Sequence, residues 1–116
     1  MASKEGFWLV EYRTQFGEGI GVIVLDTGEV IGGDNAGGTW DGNYGVDENG
    51  KLMANFTVNL PPNVFSTVTG HCSPSGFSES YSVELPKTMG DPRTYQLKTG
   101  LGVIDVTFKK VRDFPN

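Results

Sequence analysis

The sequence predicts an all-β fold: a single small antiparallel up-and-down β-barrel of about eight strands, with at most one short helix. Three observations predict it. Apolar and polar residues alternate with period two over most of the chain, the spacing of half-buried strands. No ten-residue stretch of helical periodicity separates these runs, so parallel βαβ units have no place to form. Eleven of the seventeen glycines fall between Gly17 and Gly50, where they punctuate apolar β-branched runs. Glycine admits positive φ and close backbone approach, so it marks the turns, bulges and bends of a sharply curved sheet.

Each element follows from its pattern. Gly6 to Arg13 places Trp8, Val10 and Tyr12 on one face and Glu11 and Arg13 on the other. Ile20 to Leu25 is apolar on both faces, as expected of a strand covered on both sides. Asp26-Thr27-Gly28 then turns the chain into Glu29-Val30-Ile31, a hairpin signal. Trp40 to Val46 is the next short strand, and Asp47-Glu48-Asn49-Gly50 turns it back. Lys51 to Leu60 alternates most cleanly, with Leu52, Ala54, Phe56, Val58 and Leu60 facing one way, until Pro61-Pro62 removes the ladder donors. Asn63 to Thr69 fits either one helical turn or a short strand. After the Ser73–Gly76 loop, Phe77 to Leu85 points Phe77, Tyr81, Val83 and Leu85 inward and Ser78, Ser80, Ser82 and Glu84 outward. Glu79 breaks the apolar face of that strand: either it faces a barrel mouth or a bulge turns it outward, and the outward outcome is the commoner. Pro86 and Gly90-Asp91-Pro92 interrupt the chain before a closing hairpin, Arg93–Lys98 and Leu101–Lys110, which buries Ile104, Val106 and Phe108.

Short strands joined by consecutive hairpins suit a barrel better than a sandwich, and closure removes exposed edges. An eight-stranded barrel either fills its interior with side chains or holds one small ligand. The candidate lumen residues are Trp8, Tyr12, Phe56, Val58, Tyr81, Val83 and Phe108, with Trp40 and Tyr44 as further aromatics. Such a set more often fills a core than lines a cavity.

At 116 residues the chain is expected to form one domain over 1–116, with 1–5 and 112–116 as loose termini. The net charge of −5 opposes direct binding to nucleic acid, which needs a basic footprint. Seven acids and no Lys or Arg lie between Thr14 and Gly50. That run is either an ordinary solvated face or an acidic surface for a basic protein partner. Cys72 is the only cysteine, so no intrachain disulfide can form, as in proteins of a reducing compartment. The start of the sequence lacks a hydrophobic signal region, and no run approaches the roughly 18 apolar residues of a membrane helix. The expectation is a cytoplasmic protein without membrane contact. Asn55-Phe56-Thr57 matches a glycosylation sequon, which has no bearing without secretion.

Residues with catalytic or metal-binding potential are sparse. One histidine, His71, and one cysteine, Cys72, cannot build a zinc site of the usual composition. On a strand their side chains would point to opposite faces, against a nucleophile–base pair. Asp47 to Lys51 puts Lys51 where a calcium loop needs an oxygen ligand. Gly17-Glu18-Gly19-Ile20-Gly21 is followed by a strand, not by the lysine and helix of a phosphate loop. The expectation is no enzyme, no metal and no cofactor. The doubly apolar strand offers Ile20, Val22, Ile23 and Leu25 as a candidate homodimer surface.

Gly6-Phe7-Trp8, Gly17-Glu18-Gly19-Ile20, Gly28 through Ile31-Gly32-Gly33-Asp34, and Tyr44 together resemble the GrlR-like proteins. Tyr81 to Lys87 and Val103 to Val111 resemble that family's closing strands. These are small cytoplasmic negative regulators of type III secretion with a lipocalin-like, or calycin-like, barrel. The resemblance implies a homodimer that sequesters a transcriptional activator without catalysis. It also implies that an acidic turn meets the partner. The matching turn is Asp47, Glu48, Asn49 and Gly50, which keeps two acids of the family's Glu-Asp-Glu-Asp and loses two. The alternative role is carriage of a small apolar ligand in the barrel interior.

Overall fold

Eight antiparallel strands run in the order β1 (Gly6–Thr14), β2 (Gly17–Asp26), β3 (Glu29–Asp34), β4 (Thr39–Val46), β5 (Leu52–Leu60), β6 (Phe77–Glu84), β7 (Thr94–Thr99) and β8 (Gly102–Arg112). They belong to a computed structural model that describes residues 4–89 and 93–113. The expected break at Gly90-Asp91-Pro92 lies outside the described residues. One sheet holds all eight strands in the order β6-β5-β4-β3-β2-β1-β8-β7, so each sequence neighbour from β1 to β6 pairs as a hairpin and β8 returns to β1. The sheet curls into a nearly closed up-and-down barrel. No ladder joins β6 to β7 among the described residues, and this leaves a seam on one side.

Local chemistry explains the hairpins. Thr27 and Gly28 both take positive φ, 49° and 84°, the two-residue geometry whose twist matches the flanking strands. Asp47 organises its own turn: its carboxylate accepts from the backbone N–H of Asn49 and of Lys51, both at 2.9 Å. Segment 63–70 is neither helix nor strand. It forms turns with one isolated bridge, Phe65 to Cys72, and no helix occurs among the described residues.

The interior is apolar and continuous. Trp8, Val10, Ile23, Leu25, Val30, Ala54, Val58, Tyr81, Val83, Val106 and Phe108 are all buried within it. One end of the barrel is closed by the Leu85–Met89 segment, where Met89 is wholly buried. Lys4 ties the chain across that end by donating to the carbonyls of Pro86 and Lys87, at 2.8 and 2.9 Å. Lys4 is thereby held at that end and Glu5 accepts from the Thr27 amide, while 1–3 and 114–116 of the expected loose termini lie outside the described residues. Arg112 ends β8 and also belongs to the sheet.

The glycine-rich stretch does more than bend the sheet. A Cβ at Gly21 would come 2.7 Å from the Trp40 ring, and one at Gly19 would come 2.6 Å from the Tyr12 ring. On β4 a Cβ at Gly42 would lie 2.7 Å from Cβ of Phe56. Glycine at positions 19 and 21 leaves the space that cross-strand aromatic rings occupy, and at position 42 it lets the backbones of β4 and β5 approach.

Candidate functional site

The cavity inside the barrel has a volume of about 130 Å³. Six of the seven candidate lumen residues line it: Tyr12, Phe56, Val58, Tyr81, Val83 and Phe108. Trp8 is buried beyond it, edge-on to Phe108 at 6.5 Å, with its Nε1–H donating to the Lys4 carbonyl. The end opposite Met89 is roofed by the 61–76 loop. Its residues Phe65, Ser66, Thr67 and Val68 reach the cavity, and the Thr14 hydroxyl donates to the Thr67 carbonyl.

Beneath that roof the lining turns polar. Glu79, expected to turn outward, points into the lumen and is buried. There is no bulge in β6 to rotate it: the β5–β6 ladder runs unbroken from Met53–Glu84 to Leu60–Phe77. Two hydroxyls compensate its burial. Thr69 donates to Oε2 at 2.7 Å and Tyr81 donates to Oε1 at 3.0 Å. Across the lumen Asp34 accepts at Oδ1 from the amides of Ala36 and Gly38, at 3.0 and 2.9 Å, and at Oδ2 from the Trp40 indole at 3.1 Å. An aromatic row joins the two carboxylates: Tyr12 to Trp40 at 6.0 Å, Trp40 to Phe56 at 6.4 Å and Phe56 to Tyr81 at 5.4 Å.

Both phenols of the row hold their protons above the usual tyrosine range. Burial is the larger cause in each, followed by the neighbouring carboxylate: Asp34 for Tyr12 and Glu79 for Tyr81. Among the described residues lining the cavity, Asp34 and Glu79 are the charged groups, and neither Lys, Arg nor His lines it. In the sequence Glu79 is marked by its inward phase, which allows a barrel-mouth position, and Asp34 only by its two-residue spacing from Val30 through Gly32.

The candidate dimer residues divide between the two faces of β2. Ile20 and Val22 are 37% and 45% exposed on the outside. Ile23 and Leu25 are buried in the interior, which removes them from any outer surface. Period two makes this split unavoidable, since alternate residues of one strand face opposite sides. The ladder extends the outer set instead: Val22 lies beside Leu9 and Val24 beside both Phe7 and Ile31, and Ile31 is 49% exposed. The outer face of β4–β6 is unlike this. It carries Asn43, Asn55 and Ser82 in one row, and Thr57 opposite Ser80 in another.

In the acidic turn Asp47 is committed to the backbone, while Glu48 and Asn49 are exposed. His71 and Cys72 are both exposed; His71 stacks edge-on against Phe77 at 4.5 Å, and Cys72 is a free thiol. Among the described residues no group of three or more His, Cys, Asp or Glu is placed to hold a metal ion. Among the described residues no helix is long and apolar enough to cross a membrane. Compared with known proteins, the chain matches no family model and no curated sequence.

Proposed function

We propose that this chain is a non-enzymatic regulatory barrel that works by binding protein. It pairs with a second copy through the outer face of β1–β3 and takes up a further protein partner. Its resemblance to the GrlR-like regulators of type III secretion makes a transcriptional activator the partner class. The reading places it in the cytoplasm without direct contact to nucleic acid or membrane, in keeping with a charge of −5. The observation that carries it is the contrast between flanks: Ile20, Val22 and Ile31 stand exposed on β2 and β3, whereas β5 and β6 present serine, threonine and asparagine outward. Apolar patches on a soluble surface mark contact sites. Glu48, exposed on the acidic turn, is the residue of that turn free to meet a basic partner.

Light scattering after gel filtration at micromolar concentration tests the pairing. The wild type should run at twice its monomer mass, and Val22→Glu should run as a monomer with the same circular dichroism spectrum. A monomeric wild type would overturn the dimer. For the partner, capture from the source organism's lysate should be lost in Glu48→Lys; unchanged capture removes the turn from the contact.

The cavity supports a second reading, carriage of a small apolar ligand in the lumen. At about 130 Å³ it approaches the dry cavity of about 150 Å³ that holds one benzene ring. Space of this size suits one ring or a short chain, not a long-chain lipid.

A further inference from the structure

We propose that the lumen takes an organic cation: a primary or methylated ammonium group carried on one ring or a short apolar chain. The inference rests on the reading of the lumen as a ligand site and adds the chemistry of the ligand's head. Three observations converge on it. The described charged groups on the cavity wall, Asp34 and Glu79, are both carboxylates. Glu79 is 8% exposed, yet its two hydrogen bonds come from neutral hydroxyls, so its charge has no cation beside it among the described residues. A buried carboxylate without a counter-charge is expensive, and an ammonium group would supply both the charge and further donors. Its two oxygens have room for about four donors and engage two.

The aromatic row supplies the rest of the recognition. Tyr12, Trp40, Phe56 and Tyr81 stand between the two carboxylates, and all four line the cavity. Ring faces attract ammonium groups and do not discriminate strongly against methylation. The apolar remainder of the ligand would lie against Leu25, Ala54 and Val83 toward the closed end. An anionic head would meet two like charges there, and a neutral alcohol would leave Glu79 without a counter-charge.

Three probes of matched size test this: benzylammonium, benzyl alcohol and benzoate. The readout is the pair of indole N–H signals, since the chain has two tryptophans and they stand at opposite ends of the lumen. Benzylammonium should bind about tenfold or more tightly than benzyl alcohol, from one charge-assisted contact and the ring faces. It should shift the Trp40 signal and leave Trp8 nearly in place, while benzoate should not bind. Glu79→Gln should shrink the preference over the alcohol to about twofold. Equal binding of amine and alcohol, or a preference for benzoate, overturns the cation while leaving the lumen reading intact. Absence of binding by all three probes overturns both.

Discussion

At the closed end of the barrel Trp8, Leu25, Leu85, Met89 and Phe108 are buried together, and the cations there are Lys4, on the Pro86 and Lys87 carbonyls, and Lys110, 5.5 Å over the Trp8 ring. At the other end, under the 61–76 loop, two carboxylates and two phenols share a cavity wall. The same strands supply both ends. β1 carries Trp8 at one and Tyr12 at the other, and β6 carries Val83 at one and Glu79 at the other. The difference teaches where stability and recognition reside. Packing at the closed end fixes the barrel, which lets the roofed end keep open space and uncompensated charge.

The largest effect should come from the closed end. Trp8→Ala removes a side chain that is 2% exposed, and the void left behind should lower unfolding free energy by about 4 kcal/mol. Urea denaturation measures it; a loss under about 1 kcal/mol would mean the packed end does not dominate stability. Next comes Gly21→Ala, whose new methyl meets both the Trp40 ring and the Gly33 carbonyl oxygen at 2.7 Å, at a cost of about 2 kcal/mol in the same assay. Near-UV circular dichroism should also report movement of the indole. A neutral outcome would mean the glycines shape the strands alone.

Alkaline pH should then weaken the roofed end selectively. Tyr12 and Tyr81 stay protonated in the folded barrel at pH values where unfolded tyrosine, with pKa about 10, ionises. Above that pH the unfolded chain binds fewer protons than the folded one. Stability present below pH 10 is therefore lost as pH climbs toward the raised folded values. Absorbance titration should find two of the four tyrosines ionising only with unfolding. Four tyrosines titrating together before unfolding would contradict the burial argument. The smallest effect belongs to Glu79→Gln. Hydroxyl partners can reorient toward an amide, so its stability should stay within about 1 kcal/mol of wild type. A large destabilisation would make Glu79 a structural anchor of the loop.

Alternation made the strands legible because a period of two is a local property. Val58, Tyr81 and Phe108 could be placed inward from it alone. Glu79 sat in the same inward phase, yet the desolvation of a carboxylate argued the other way. What reversed that argument was Thr69, ten residues upstream on a loop whose conformation no local pattern encodes. Segment 63–70 was ambiguous for a related reason: contacts to Thr14 and Cys72 hold it, not its own periodicity. Gly19 and Gly21 read as bends because the rings that fill their space come from β1 and β4, and that pairing depends on register.

The seam between β6 and β7 has a topological consequence. β8 and β1 are hydrogen-bonded neighbours, with Phe7 opposite Arg112. Linking the end of β8 to the start of β1 and opening the chain between β6 and β7 would give a circular permutant whose strands follow their spatial order from edge to edge. Every ladder of the parent would then join strands adjacent in sequence, and no hydrogen-bonded pair would be severed. The longest-range closure in the natural chain, β1 to β8, would become one more hairpin, and a chain with so low a contact order should fold faster than its parent.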